Sequence, residues 1–214
     1  NPIPIELSAD SVVEKTMTMA IVIPEDDKFV GKVTHTPGYY EALVDRTLIK
    51  DKGESDFFGK IKSALGSDFT VSKTEIESLA SADEPLKISY EIAFKDTGED
   101  VIYFTPVLNP FYTENPFSAA VRRYPVEMPY LIDRIFILNM KLPPGYFVDE
   151  LPKPVKVKFN DDEGFFEYLI NYDDGSIQLK TRMVLAKANF KPDDYDSLRD
   201  FFSYVIKKQA EQVI

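Results

Sequence analysis

Residues 164–185 read GFFEYLINYDDGSIQLKTRMVL. Two runs, 164–171 and 177–185, flank Asp173-Asp174-Gly175. Asp-Gly is the turn chemistry of a tight hairpin, because its central residues must take positive φ. Two antiparallel strands joined this way set the fold class, and the flanking sequence extends it. Just upstream, Val155, Val157 and Phe159 alternate with Lys156 and Lys158, the pattern of a half-exposed strand. Before that, residues 132–142 are apolar on both faces except at Arg134, Asn139 and the ends, which places this strand centrally. Downstream, residues 192–213 form a helix. Tyr195, Leu198, Phe202, Val205 and Ile206 make its apolar stripe, Asp193 and Asp194 sit at its positive dipole end, and Lys207 and Lys208 come later.

Nearer the start, Met17, Met19, Ile21 and Ile23 alternate with Thr16, Thr18, Ala20 and Val22 until Pro24 breaks the run. A turn at residues 24–27 returns the chain into a second strand at 28–34. Tyr40, Leu43, Val44 and Leu48 then recur at helical spacing, as do Phe57, Ile61 and Leu65 before Gly66. Residues 38–66 are therefore expected to be a helical hairpin between strands. Period two returns weakly from Phe69, and plainly at Leu86, Ile88, Tyr90, Ile92 and Phe94 against Lys87, Ser89 and Glu91. Residues 105–130 contain Pro106, Pro110, Pro116, Pro125 and Pro129, too many for central strands. They read as a long Pro- and aromatic-rich connection over the surface and as the junction between two regions.

Composition narrows the function. The 214 residues are 44% hydrophobic and 13% aromatic, enough for a sizeable core. A formal charge of -11 argues against nucleic acid as a partner, since phosphate readers need a basic face that releases counterions. Cysteine is absent, which removes thiol nucleophiles, thiolate metal sites and disulfides. No apolar run approaches the roughly 20 residues of a membrane-crossing helix. The chain begins Asn1-Pro2-Ile3-Pro4, with neither an initiator Met nor a signal-peptide pattern, and reads as a piece of a longer polypeptide.

Chemistry-bearing motifs are sparse. His35 is the single histidine, and no Gly-x-Ser-x-Gly elbow accompanies it, so it reads as a strand-end residue. The acidic pairs Asp26-Asp27, Asp161-Asp162-Glu163, Asp173-Asp174 and Asp193-Asp194 lack the alternating ligands and Gly of an EF-hand loop, and fit turns and a helix start. No catalytic, cofactor or metal residue is expected. An interaction surface is expected in the aromatic connection, at Phe111, Tyr112, Phe117, Arg122, Arg123 and Tyr124, because rigid rings can stack on sugar or grip a partner loop. The competing reading has those rings pinning the connection to the core, and the paired Arg clamping an internal carboxylate.

Arg123-Tyr124-Pro125-Val126, Leu142-Pro143-Pro144-Gly145-Tyr146 and Glu150-Leu151-Pro152 together resemble an uncharacterised domain found C-terminal to transglutaminase-like modules in Bacteroidetes proteins. Lys191-Pro192-Asp193-Asp194-Tyr195, leading into Leu198, Phe201-Phe202 and Lys208-Gln209, is similar to the terminal helix of that family. Gly31, Gly38-Tyr39-Tyr40-Glu41-Ala42 and Arg46 are similar to the linker that follows the transglutaminase-like core. The resemblance implies an upstream papain-fold core in the same polypeptide and an extracytoplasmic location. A core of that kind needs a Cys nucleophile, which this chain does not contain, so no catalytic residue carries over.

The expected fold is mainly β with α additions: an antiparallel β-sandwich, jelly-roll-like, with a helical hairpin early and a C-terminal helix. The expected division is a β-rich linker region at 1–120 and a C-terminal β-rich domain at 121–214, or one continuous sandwich. The expected role is a non-catalytic accessory module packing against the upstream core. The alternative is an independent glycan- or peptide-binding module of the cell envelope.

Overall fold

The Asp-Gly hairpin forms as its chemistry requires. In the computed structural model, which describes residues 12–25, 28–95 and 101–214, β8 (Gly164–Asp173) and β9 (Ser176–Leu185) pair in antiparallel register from Gly164↔Leu185 to Asp173↔Ser176. Asp174 and Gly175 take φ of 46° and 68°, the double positive-φ turn whose twist matches that of the strands. β7 (Val155–Phe159) pairs on the far side of β8, and β6 (Leu131–Lys141) pairs with β9.

The other half of the sheet is built from β1 (Val13–Glu25), β2 (Lys28–Thr36), β3 (Phe69–Glu77) and β4 (Lys87–Phe94). Between β2 and β3 lie α1 (Tyr39–Lys52) and α2 (Glu54–Leu65), joined at Gly53, which is the expected helical hairpin. Across the sheet the strand order is β3-β4-β2-β1-β6-β9-β8-β7. The turn expected at residues 24–27 and the Asp26-Asp27 pair fall partly or wholly outside the described residues, as does Asn1-Pro2-Ile3-Pro4.

The molecule is mainly β with α additions, as expected, and its large sheet is mixed. One pair departs from the antiparallel expectation: β1 and β6 run parallel, from Val13↔Leu131 to Val22↔Met140. Parallel neighbours need a long crossover. Here the chain leaves β4 and passes through the Pro-rich connection before re-entering beside β1. The expected division between residues 120 and 121 lies within that connection, and the sheet continues across the parallel seam. A two-sheet jelly roll would place a second large sheet over the first. Among the described residues the second sheet is only β5 (Val126–Glu127) with β10 (Asn189–Phe190).

Helices and the connection supply the second layer instead. The inward sides of β6, β8 and β9 bury Phe136, Leu138, Phe166, Tyr168, Leu179 and Met183 in one cluster with Leu198, Phe201, Phe202 and Val205 of α3 (Tyr195–Gln209). A 3-10 turn at Pro192–Asp194 precedes α3. The expected helix at 192–213 is therefore shorter at its end, where Val213 instead exchanges backbone hydrogen bonds with Phe104. Phe58 of α2 meets Tyr90 of β4 edge-on at 6.5 Å, so the helical hairpin covers the same side of the sheet as α3 does. Among the described residues, no helix is long and apolar enough to cross a membrane.

Candidate functional site

β1 carries its alternation in the sense opposite to hydrophobicity. Its inward residues are Glu14, Thr16, Thr18, Ala20 and Val22, all buried, whereas Val13, Met17, Ile21 and Ile23 point outward at 44% to 51% exposure. Two features follow, one beneath α1 and one on the open face of the sheet.

Beneath α1, a buried polar network takes the place of apolar packing. The Glu14 carboxylate accepts the backbone N–H groups of Tyr40 (3.1 Å) and Glu41 (2.8 Å). Glu14 thus satisfies two of the donors that a helix start leaves unpaired, at the positive end of the helix dipole. The approach is so close that a β-carbon on Gly38 would lie 2.3 Å from the Glu14 carboxyl carbon. Thr16 Oγ1 accepts the Gly38 N–H (3.3 Å) and donates to Glu41 Oε2 (2.8 Å). Thr18 Oγ1 lies 2.8 Å from His35 Nδ1, and His35 Nε2 lies 3.6 Å from Glu41 Oε1.

Electrostatics in this network oppose each other along one helix face. Burial pushes the Glu41 carboxyl up, but the hydrogen bond and charge of His35, the charge of Arg134 and the Thr16 hydroxyl together bring it down to about 2. Asp45, one turn on, is raised to about 6 by burial and by repulsion from Glu41, with His35 pulling the other way. Hydroxyl, imidazole and carboxylate stand here in the order of a nucleophile triad. Thr18 is only 4% exposed, and through His35 the three side chains link β1 to Glu41 of α1.

The expected interaction residues divide into two groups. Phe117 is buried, 4.9 Å from Phe202 and 6.0 Å from Tyr195. Tyr112 packs edge-on against Phe202 at 4.9 Å, with the Arg134 guanidinium 5.1 Å from its ring centre. Phe111 is half-buried; its N–H donates to Gln209 Oε1 (3.1 Å) and its carbonyl accepts from Arg134 (3.0 Å). The rings of Phe117 and Tyr112 and the backbone of Phe111 pin the connection to α3. Arg122, Arg123 and Tyr124 form an exposed tip, with Tyr124 79% exposed. Arg122 donates to the Tyr124 carbonyl (3.2 Å) and lies 5.9 Å from the Tyr195 ring.

Two surface features were missed by sequence reasoning. The first is a pair of adjoining clefts, about 570 and 550 Å³, which share Phe29, Phe94, Ile102, Phe104 and Tyr146. Exposed Tyr103 and Phe147 stand at their edges. Only three-dimensional packing assembles these from β2, β4 and loops. The second is the outward sheet face. Register puts Met17 beside Ile135, Met19 beside Ile137, and Ile23 beside Val30, with Leu169 two strands beyond Ile137 across Lys180. These residues form an apolar field in the middle of an eight-stranded sheet, with no described element over it. Its signal in the sequence is that both sets of positions in residues 19–23 are apolar.

Residues 100–214 match the family model of a domain of unknown function with a solved structure, DUF3858. No curated protein and no solved structure matches the chain.

Proposed function

The chain belongs to the DUF3858 family, and on that premise we propose that it is a non-catalytic accessory module of a larger extracytoplasmic protein, packed against an upstream transglutaminase-like domain of the same polypeptide. The observation that carries this reading is the uncovered apolar centre of the large sheet. Side chains such as Met17, Ile21 and Ile23 gain free energy on leaving water, about 25 cal/mol for each Å² buried. An antiparallel sheet with one wet face normally presents polar residues there. The identity of the neighbour rests on the resemblance carried by residues 123–126, 142–146 and 191–209. Consistent with a supporting role, His35, Glu41 and Thr18 are consumed in seating α1.

Mixing this chain with the separately produced upstream domain in a calorimeter should give a binding isotherm. Deleting residues 1–214 from the parent should lower its stability or activity. No heat together with an unimpaired deletion would sink the proposal.

A second reading, an independent glycan- or peptide-binding module of the cell envelope, is favoured by the aromatic clefts at Phe29, Phe94, Phe104 and Tyr146. Titration with soluble oligosaccharides and short peptides, followed by NMR, should then move the resonances of Tyr103, Tyr146 and Phe147. Unmoved resonances across the panel would remove this reading.

A further inference from the structure

The outward sheet face has a charge pattern as well as an apolar centre. In its interior, every carboxylate is already engaged: Asp133 receives two hydrogen bonds from Arg182 (2.8 and 2.9 Å), Glu91 is held by Lys73, and Glu167 by Lys156. Glu25, Glu75 and Asp173 lie at the margins. Three lysines are placed differently. Lys15 projects between Val13 and Met17 with Asp133 as its cross-strand neighbour, Lys32 stands between Ile21 and Glu91, and Lys180 stands between Leu169 and Ile137; Asp133 and Glu91 are taken up by Arg182 and Lys73 rather than by Lys15 and Lys32. All three are exposed, with no carboxylate in ion-pair contact among the described residues. In a chain of net charge -11, this face therefore offers uncommitted positive charge around an apolar field.

We infer that this face docks a protein surface of complementary chemistry: an apolar centre ringed by Asp and Glu side chains that receive Lys15, Lys32 and Lys180. The inference rests on the accessory-module reading and names the surface and partner chemistry that reading lacks. A second copy of the chain does not meet the requirement. Docked through the same face, it would bring more lysines and no free interior carboxylate to receive them, and like charges across an interface oppose association. Opposite charges at the rim act chiefly on the rate of encounter and its salt dependence, while the apolar centre holds the complex.

The test compares chemical footprints of this chain alone and within the parent polypeptide, using acetic anhydride for lysines and hydrogen peroxide for methionines. Lys60, Lys62 and Lys207, exposed on the helical side, serve as internal references, and buried Met140 and Met183 set the floor for oxidation. Lys15, Lys32, Lys180 and Met17 should lose reactivity several-fold in the parent while the reference lysines keep theirs. Replacing the three lysines together with Glu should restore Met17 oxidation in the parent; the substitutions are on exposed positions, so an unchanged circular dichroism spectrum certifies the fold. Protection that appears elsewhere, at the reference lysines, would overturn this face and leave the accessory reading standing. No protection anywhere would overturn both. Protection that varies with protein concentration would assign the face to self-association and overturn the inferred partner.

Discussion

The Glu14 carboxylate occupies the space that a side chain at position 38 would need. Gly38 has an ordinary extended backbone, φ -69° and ψ -178°, so its requirement for glycine comes from Glu14 and not from backbone strain. Gly38→Ala should destabilise the protein by about 1–3 kcal/mol, the usual cost of forcing a methyl group into a packed site. Combining it with Glu14→Ala should cost less than the sum of the two, because one change makes room for the other. Urea denaturation of the four variants measures that coupling, and strict additivity would refute the account of Gly38.

The same network predicts two limbs of opposite sign in stability against pH. Glu41 titrates near 2 when folded and at an ordinary 4.5 when unfolded. Its contribution is therefore complete above pH 4.5 and is lost as pH falls from there toward 2. Because a third of the side chain reaches solvent, screening holds the effect to about 1–2 kcal/mol. Glu41→Gln should flatten this acid limb in thermal melts taken between pH 2 and 5.

Asp45 behaves in the reverse way. Raised from 3.8 to about 6 on folding, its proton is favoured by the native state. The associated stability is complete below pH 3.8 and is lost as pH climbs through 6. Asp45→Asn should then raise stability at pH 7.5 by roughly 1–2 kcal/mol and do nothing at pH 3. A melting temperature at pH 7.5 equal to that of the wild type would contradict the burial of Asp45.

Neighbouring residues of β1 should respond in opposite ways to polar or smaller substitution. Val22 is fully buried, and Val22→Ala should cost about 2 kcal/mol. Ile21 points outward, so Ile21→Thr should change stability by less than about 0.5 kcal/mol while raising solubility. A large loss at Ile21 in chemical denaturation would mean that the exposed face is covered within the chain itself.

In the connection, Phe117→Ala should cost about 3–5 kcal/mol, since the ring lies between Tyr195 and Phe202. Tyr124→Ala should be nearly silent for stability. Equilibrium unfolding separates the two, and it also tells which expected interaction residues are structural pins.

Where neighbours in space are also neighbours in sequence, the fold was legible. The Asp-Gly turn, the alternation of β4, the half-exposed β7, the hairpin of α1 and α2, and α3 all announce themselves within a few residues, although the wet face expected of β4 is not found, since Ser89 is buried. The parallel seam does not, because Met17 and Ile135 share no turn and each strand would pair as well with other apolar runs. The site was less legible. Period two identified β1 as a strand, but hydrophobicity points to the wrong side: Thr16 and Thr18 turn inward because Glu41 and His35 need hydroxyl partners there. Glu14 serves backbone amides 26 and 27 positions away, and no local pattern marks such a residue. In the connection, the rings were recognised as important, and packing against α3 decided that Phe117 faces in while Tyr124 faces out.

The parallel seam also bears on how the polypeptide can be divided. β6 lies inside the segment that defines the family, while the strand occupying its other edge lies far upstream. Cut at residue 100, the remaining segment would expose a long, flat, apolar edge with unpaired amides and carbonyls, an open template for aggregation. During synthesis, β1 emerges early and waits for a mate made much later, so the N-terminal half must pass through a period with its own sheet unfinished. Evolution of this family segment away from its upstream strands would first have had to find another way to close that edge.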